Sequence, residues 1–140
     1  MSNSEERQRL LQPACPYPKP ALFLDRDGVL IEDMHHLCDP EKVVLSLGSK
    51  TLLEGAHLRG WPVVVITNQS GIARGYFEWT DYEQVTDQML RLLGSSAPLA
   101  AIYVNGHGPD APVGSWRKPS PSMLLEAARK LNLDLKQSIL

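Results

Sequence analysis

The segment Trp61-Pro62-Val63-Val64-Val65-Ile66-Thr67 constrains this chain more than any other part of it. Its unbroken β-branched run, Val63 to Ile66, favours a strand, and an apolar run without polar alternation belongs at the centre of a sheet covered on both faces. A shorter run, Ala21-Leu22-Phe23-Leu24, has the same character and stops at Asp25, and Ala100 to Val104 supplies a third. The intervening stretches read as helices. Residues 49–59 place Leu52, Leu53 and Ala56 on one face before a stop at Gly60. Thr80 and Glu83 have capping-box spacing and open a helix to about Leu93. Ser120 followed by Pro121 starts another, which carries Leu124, Leu125, Ala128 and Leu131 inward. Ser138-Ile139-Leu140 reads as the first half of a fourth strand. Strand and helix alternate, which predicts an α/β fold, a Rossmann-like doubly wound parallel sheet with helices on both faces.

Residues 1–20 differ in texture. They are polar and then crowded with Pro13, Pro16, Pro18 and Pro20, which predicts an extended tail ahead of one folded domain over residues 21–140. With 43% hydrophobic residues the chain can bury a core. Fourteen basic against sixteen acidic residues give a net charge of −2, without the basic excess of a general nucleic-acid or membrane-surface binder. The first residues carry acids and no apolar run, unlike a secretory leader. Cys15 and Cys38 form no CxxC pair, so a disulfide framework is not expected and a reduced, cytoplasmic setting is the default.

Ligands of parallel sheets bind beyond the carboxyl ends of the strands. Three polar stretches fall at that rim: Asp25 and Asp27 after the first strand, Thr67 and Asn68 after the second, and the loop from Asn105 after the third. Arg117-Lys118-Pro119 precedes the helix start at Ser120. Asp25-Arg26-Asp27-Gly28 sets two carboxylates two positions apart, where a divalent cation would relieve their repulsion while one attacks and the other moves a proton. Acids at strand ends also serve as plain turn formers, and spacing alone leaves both readings open. Thr67-Asn68-Gln69-Ser70-Gly71 offers a hydroxyl, amides and backbone N–H groups, which suit an anionic phosphoryl group or make an ordinary polar turn. Arg117-Lys118-Pro119 can counter phosphate charge or form a solvated basic pair.

In this order the segments resemble the haloacid dehalogenase superfamily of aspartate-based phosphatases. Within it, the chain is most similar to the branch of D-glycero-D-manno-heptose 1,7-bisphosphate phosphatases and histidinol-phosphatases. The likeness is carried by Phe23-Leu24-Asp25-Arg26-Asp27-Gly28-Val29-Leu30, by the run from Val65 through Thr67-Asn68-Gln69-Ser70-Gly71 to Phe77, and by Arg117-Lys118-Pro119. The resemblance implies that Asp25 is the nucleophile, that Asp27 is the general acid and base, and that Mg²⁺ sits on the Asp25 carboxylate and the Asp27 carbonyl. It implies that Thr67 and Lys118 hold the transferring phosphoryl group. Arg26, Asn68, Gln69, Ser70 and Arg117 would contact the rest of the substrate, with a segment from Asp33 to His36 also touching it. The short span between the first two motifs implies a capless member.

Two departures accompany the resemblance. Many members carry a zinc loop before the Arg-Lys-Pro motif; here that loop holds His107 but no cysteine, and zinc is not expected. His35, His36 and Cys38 cluster in sequence but read as a plain loop. The family's fourth motif is a Gly-Asp pair with another acid a few residues on, whose aspartate gives the metal a second carboxylate. It would follow Leu140, so the chain is expected to lack the C-terminal strands and to be a fragment or short form of a phosphatase or a chain that has lost activity. It is also expected to be less stable than a full domain, to hold metal weakly, and to expose an edge that allows self-association. The expected function is hydrolysis of a small sugar bisphosphate, with no nucleic-acid or membrane partner. A catalytically impaired phospho-ligand or protein-interaction module is the alternative, and a receiver-like domain ranks below both.

Overall fold

The computed structural model describes residues 5–140. Its centre is a four-stranded sheet in the order β1-β4-β3-β2, where β1 is Glu6–Leu10, β2 is Leu22–Leu24, β3 is Val63–Asn68 and β4 is Ala101–Asn105. The strands β2, β3 and β4 run parallel, with Phe23 opposite Val64 and Val65 opposite Ile102. Helices α1 (Ser49–Leu58), α2 (Trp79–Leu93) and α3 (Ser122–Leu131) cover the sheet.

Strand alternation sorts the valine run to two cores. Val63 and Val65 face a layer with Leu53 of α1 and Val85, Met89 and Leu93 of α2. Val64 and Ile66 face the opposite layer, where Met123, Ala127 and Leu131 of α3 pack with Phe23 and Tyr103. The expected doubly wound arrangement of helices on both faces is therefore present. Beyond β2, Ile139 donates to Ala21 O at 3.0 Å and accepts from Phe23 N at 2.9 Å, so the last residues begin pairing beside β2, as the sequence predicts.

The first 20 residues depart from the expected extended tail. Residues 1–4 lie outside the described region, but Glu6–Leu10 is an antiparallel edge strand on β4, from Glu6 opposite Asn105 to Leu10 opposite Ala101. Backbone pairing holds it, because its sequence has no apolar face. Arg9 pairs with Glu83 and Asp87 of α2, and the Arg7 guanidinium lies 4.0 Å from the centre of the Trp79 ring. The proline stretch also packs on the domain: Cys15 N donates to Leu131 O at 2.9 Å, and Lys19 O accepts from Asp134 N at 2.7 Å.

Two helix details shift. The capping box of α2 is formed by Glu78 and Asp81, two residues ahead of the expected Thr80 and Glu83. On α3 the buried stripe is Met123, Ala127 and Leu131, while Leu125 points to solvent.

Candidate active site

The carboxyl ends of β2, β3 and β4 converge on one rim. Asp25 follows β2, and the chain then turns sharply because the Arg26 carbonyl accepts from the N–H groups of Leu30 at 2.9 Å and Ile31 at 3.1 Å. Gly28 makes the turn with φ +79°, a region costly for residues with a Cβ, and donates to Ile31 O at 2.8 Å. Leu30 and Ile31 are thereby sunk fully into the core, which anchors the turn that carries both acids.

Asp25 accepts on both oxygens. Oδ1 takes the Arg26 N–H at 2.7 Å, and Oδ2 takes Lys118 Nζ at 2.8 Å. Lys118 Nζ also donates to the Ile66 carbonyl at 3.2 Å. The lysine backbone is fixed by Asn68, whose Oδ1 accepts Lys118 N at 3.1 Å and whose Nδ2 donates to Lys118 O at 3.4 Å. Asn105, opposite Asn68 on β4 and fully buried, donates to the same Oδ1 at 3.2 Å. The chain from Asn105 through Asn68 to Lys118 thus sets the ammonium against Asp25. Together Asp25 and Lys118 line a cavity of about 610 Å³ whose walls include Val29, Ile66, Met123 and Leu124.

Asp27 is held by a second network. Gln69 Nε2 donates to Asp27 Oδ2 at 2.7 Å and to Thr67 Oγ1 at 2.9 Å. The Arg26 guanidinium reaches both Asp27 oxygens at 3.1 Å and Gln69 Oε1 at 3.1 Å. At 1% exposure Arg26 lies inside the protein, 5.5 Å from the centre of the Tyr82 ring, so the structure places it behind Asp27 and away from the open rim. The site around it is dry: burial pushes the Tyr82 phenol up to about 12, against the opposing pull of the Arg26 charge. A buried arginine is tolerable only with such a set of partners.

The remaining expected residues sit farther out. His36 packs against Tyr76 with ring centres 4.6 Å apart, over Gly71, where a Cβ would come within 2.7 Å of His36 Nδ1. That glycine is what lets the loop after β3 close on the histidine. Asp33 accepts from His35 N at 3.0 Å in its own turn, and Ser70 O receives Arg74 N at 3.1 Å. Arg117 donates through Nη1 to the His107 carbonyl at 3.0 Å. Asp25, Asp27, Thr67, Asn68, Gln69 and Lys118 are joined by the two networks, whereas Asp33, His36, Ser70 and Arg117 stand around them. Asn105 is expected from sequence only as the start of a polar rim loop, without its role as a brace, and Ser115, ten residues beyond β4, carries no signal that ordinary loops lack.

Among the described residues, no three His, Cys, Asp or Glu side chains converge as a metal cluster. The groups at hand, two carboxylates and the Asp27 carbonyl, are hard oxygen donors. They fit a cation such as Mg²⁺ that keeps several waters and binds through one or two carboxylates.

A parallel sheet with Asp25 and Asp27 at the end of one strand, a polar Thr-Asn-Gln turn at the next and a lysine on the Asp25 carboxylate defines the haloacid dehalogenase-like phosphatase class. A haloacid dehalogenase-like phosphatase from Mesorhizobium loti superposes with a TM-score of 0.91 at 36% identity, covering 99% of this chain and 70% of the other. A D,D-heptose 1,7-bisphosphate phosphatase from B. bronchiseptica, solved with magnesium and phosphate, gives 0.74 at 34% identity over 82% of this chain and 65% of its own. In sequence, the chain is 43% identical over 128 residues to a D-glycero-beta-D-manno-heptose-1,7-bisphosphate 7-phosphatase of Mesorhizobium japonicum, covering 86% of this chain and 59% of that protein. It is 38% identical to the Helicobacter pylori protein of the same name, covering 86% of this chain and 70% of that one. The chain thus spans about three fifths of one relative and seven tenths of the other. No family model matches it. The chain belongs to the D-glycero-D-manno-heptose-1,7-bisphosphate 7-phosphatase family of haloacid dehalogenase-like proteins.

Proposed function

We propose that this chain hydrolyses a phosphomonoester of a small sugar bisphosphate, a heptose 1,7-bisphosphate by analogy with its relatives, through an aspartyl-phosphate on Asp25. The observation that carries this reading is the 2.8 Å contact between Lys118 Nζ and Asp25 Oδ2 at the strand rim, with Asp27 separately held by Gln69. A lysine so placed neutralises the charge that builds on equatorial phosphoryl oxygens as an Asp25 oxygen attacks phosphorus and the ester P–O bond breaks. Thr67 Oγ1 accepts from Gln69 Nε2, which leaves its own proton to donate to the phosphoryl group. Asp27 gives a proton to the departing alkoxide oxygen, then takes one from the water that attacks the aspartyl-phosphate, releasing inorganic phosphate and restoring Asp25.

Gln69 and Arg26 keep Asp27 in one orientation for both proton transfers. Asn68 acts through Lys118, while Arg117, Ser70, Asp33 and His36 are assigned to the rest of the sugar, Arg117 to a distal phosphate. Arg26, buried behind Asp27, is assigned a positioning role in place of the substrate contact expected from sequence. The Asp25 carboxylate and the Asp27 carbonyl would hold Mg²⁺, which supplies further charge neutralisation at the phosphoryl oxygens. The two free cysteines, Cys15 and Cys38, accord with a reducing, cytoplasmic setting.

The test is steady-state phosphate release from heptose 1,7-bisphosphate and a panel of sugar phosphates, with Mg²⁺ and with EDTA, beside Asp25→Asn. Metal-dependent turnover that vanishes in the variant supports the enzyme. A folded chain without turnover on any of them would sink the reading in favour of a phospho-ligand binding module.

A further inference from the structure

The loop from residue 106 to Arg117 carries a polar cluster that the reaction above does not use. His107 Nδ1 lies 2.9 Å from Ser115 Oγ, 3.1 Å from Asn105 Oδ1 and 3.8 Å from Glu6 Oε2. The backbone of the same histidine is tied at both ends. Its N–H donates to Asn105 Oδ1 at 3.2 Å, and its carbonyl accepts from Asn105 Nδ2 at 3.4 Å and from Arg117 Nη1 at 3.0 Å. Ser115 Oγ accepts the Arg117 N–H at 3.1 Å, and Glu6 Oε2 accepts the Trp116 N–H at 2.5 Å. Glu6 itself is fixed by its place opposite Asn105 in the sheet, and Glu5 O accepts Gly106 N at 2.7 Å. The cluster therefore joins β1, the end of β4 and both ends of the loop, and it is largely dry: the side chains of His107 and Glu6 are 14% and 13% exposed.

The zinc that the sequence resemblance associates with this loop does not fit these residues. One histidine with serine, asparagine and one glutamate lacks the thiolates and the ligand count of a structural zinc site. We propose instead that His107, fixed by Ser115, Asn105 and the edge-strand Glu6, is a positioning residue that holds Arg117 ready for the distal phosphate by hydrogen bonding alone. The neighbours fix the tautomer: Asn105 Oδ1 and Glu6 Oε2 can only accept, so Nδ1 carries the proton. An asparagine can present an amide N–H close to that Nδ1 position, whereas a phenylalanine fills the space and donates nothing. The N-terminal strand, which the sequence presented as a tail, becomes part of the substrate site through Glu6.

This inference rests on the assignment of Arg117 above, so the experiment has one readout that needs no turnover. Backbone hydrogen exchange of the full chain is compared for the native protein, His107→Phe, His107→Asn and Ser115→Ala, with the β3 amides as the check of folding. Exchange at Trp116 and Arg117 is expected to rise about tenfold or more in His107→Phe and Ser115→Ala while β3 stays protected, and to return toward the native rate in His107→Asn. Kinetics form the second arm. His107→Phe is expected to raise KM for the bisphosphate about tenfold, the worth of one charge-assisted contact, with kcat and the KM for p-nitrophenyl phosphate nearly unchanged. Native exchange at Trp116 and Arg117 in both His107→Phe and Ser115→Ala, or equal effects of phenylalanine and asparagine, would overturn the proposal. So would an equal rise in KM for the two substrates. Absence of turnover in the native protein would remove the proposed function but leave the exchange result to decide whether His107 organises the loop.

Discussion

Lys118 Nζ donates to Asp25 Oδ2 at 2.8 Å across 93 positions of sequence, and the same ammonium donates to the carbonyl of Ile66. The contact is partly solvated, with the lysine side chain 28% and the aspartate 40% exposed, so its worth to the fold is about 0–1 kcal/mol. Under the proposed mechanism its worth to the reaction is larger, because the donor would face the charge that develops on the phosphoryl group. Lys118→Ala is expected to lower kcat by about 10²–10³ while the urea midpoint hardly moves. Lys118→Arg is expected not to restore the rate, since a planar guanidinium cannot reproduce a point charge bonded to both Asp25 and Ile66 O. Steady-state kinetics beside denaturant melts separate the two effects, and a large loss of stability with modest loss of rate would refute the assignment.

Gln69 gives a sharper test of the proton-transfer role proposed for Asp27. Its amide donates to Asp27 Oδ2 at 2.7 Å and to Thr67 Oγ1 at 2.9 Å from a buried position. Gln69→Leu keeps much of the volume and removes both donors. In the proposed mechanism an alkoxide leaving group takes its proton from Asp27, whereas nitrophenolate departs without one. The variant is therefore expected to lose about 10²-fold in kcat on a sugar phosphate and only about threefold on p-nitrophenyl phosphate. The ratio of the two rates is insensitive to how much protein is folded. An equal loss on both substrates would place Gln69 in binding alone.

What could be read in advance follows from which interactions are local. The valine run of β3 announces a central strand because no half-exposed strand tolerates Val63 to Ile66 without alternation, and the strand is buried as that requires. Asp25 is marked in the sequence because it follows directly the strand end that an apolar run announces, and Lys118 because its motif precedes the helix start at Ser120. The strand Glu6–Leu10 was not, since nothing in ERQRL is apolar until Leu10. Its conformation comes from the open edge of β4 and from the acids Glu83 and Asp87 on a helix 70 or more residues away.

The resemblance implies a substrate contact for Arg26, whereas its guanidinium lies at 1% exposure against Asp27 and Gln69. Only the joint presence of Asp27, Gln69 and the Tyr82 ring makes its burial affordable, and those partners come from three different elements. The capping box shifted because Glu78 with Asp81 and Thr80 with Glu83 have the same spacing. Edge-to-face packing of Trp79 on Tyr82, with ring centres 5.4 Å apart, is part of the tertiary context that separates them. Asn105 is marked in the sequence only as a polar residue where a strand ends: its role as a brace arises from register with Asn68 across the sheet.

Tyr103 links the core to alkaline stability. It lies fully buried on β4 against Trp116, with ring centres 5.6 Å apart, and its hydroxyl has no hydrogen-bond partner among the described residues. Burial pushes its phenol from the ordinary 10.0 up to about 12, and Tyr82 is raised to about 12 in the same way. Above pH 10 the unfolded chain sheds these protons first, while the folded chain keeps them until about pH 12. The folded state then binds more protons, so stability is complete below pH 10 and falls as pH rises through 12. The urea midpoint is expected to drop steadily between about pH 10 and about pH 12. Tyr103→Phe removes one of the two ionisations and an unpaired buried hydroxyl. It is expected to make that decline shallower and to raise stability at neutral pH by about 1 kcal/mol, with Tyr82 left to supply the remaining slope. A Tyr103→Phe variant that is less stable at neutral pH and declines as steeply as the native chain would show that the hydroxyl is satisfied and titrates normally.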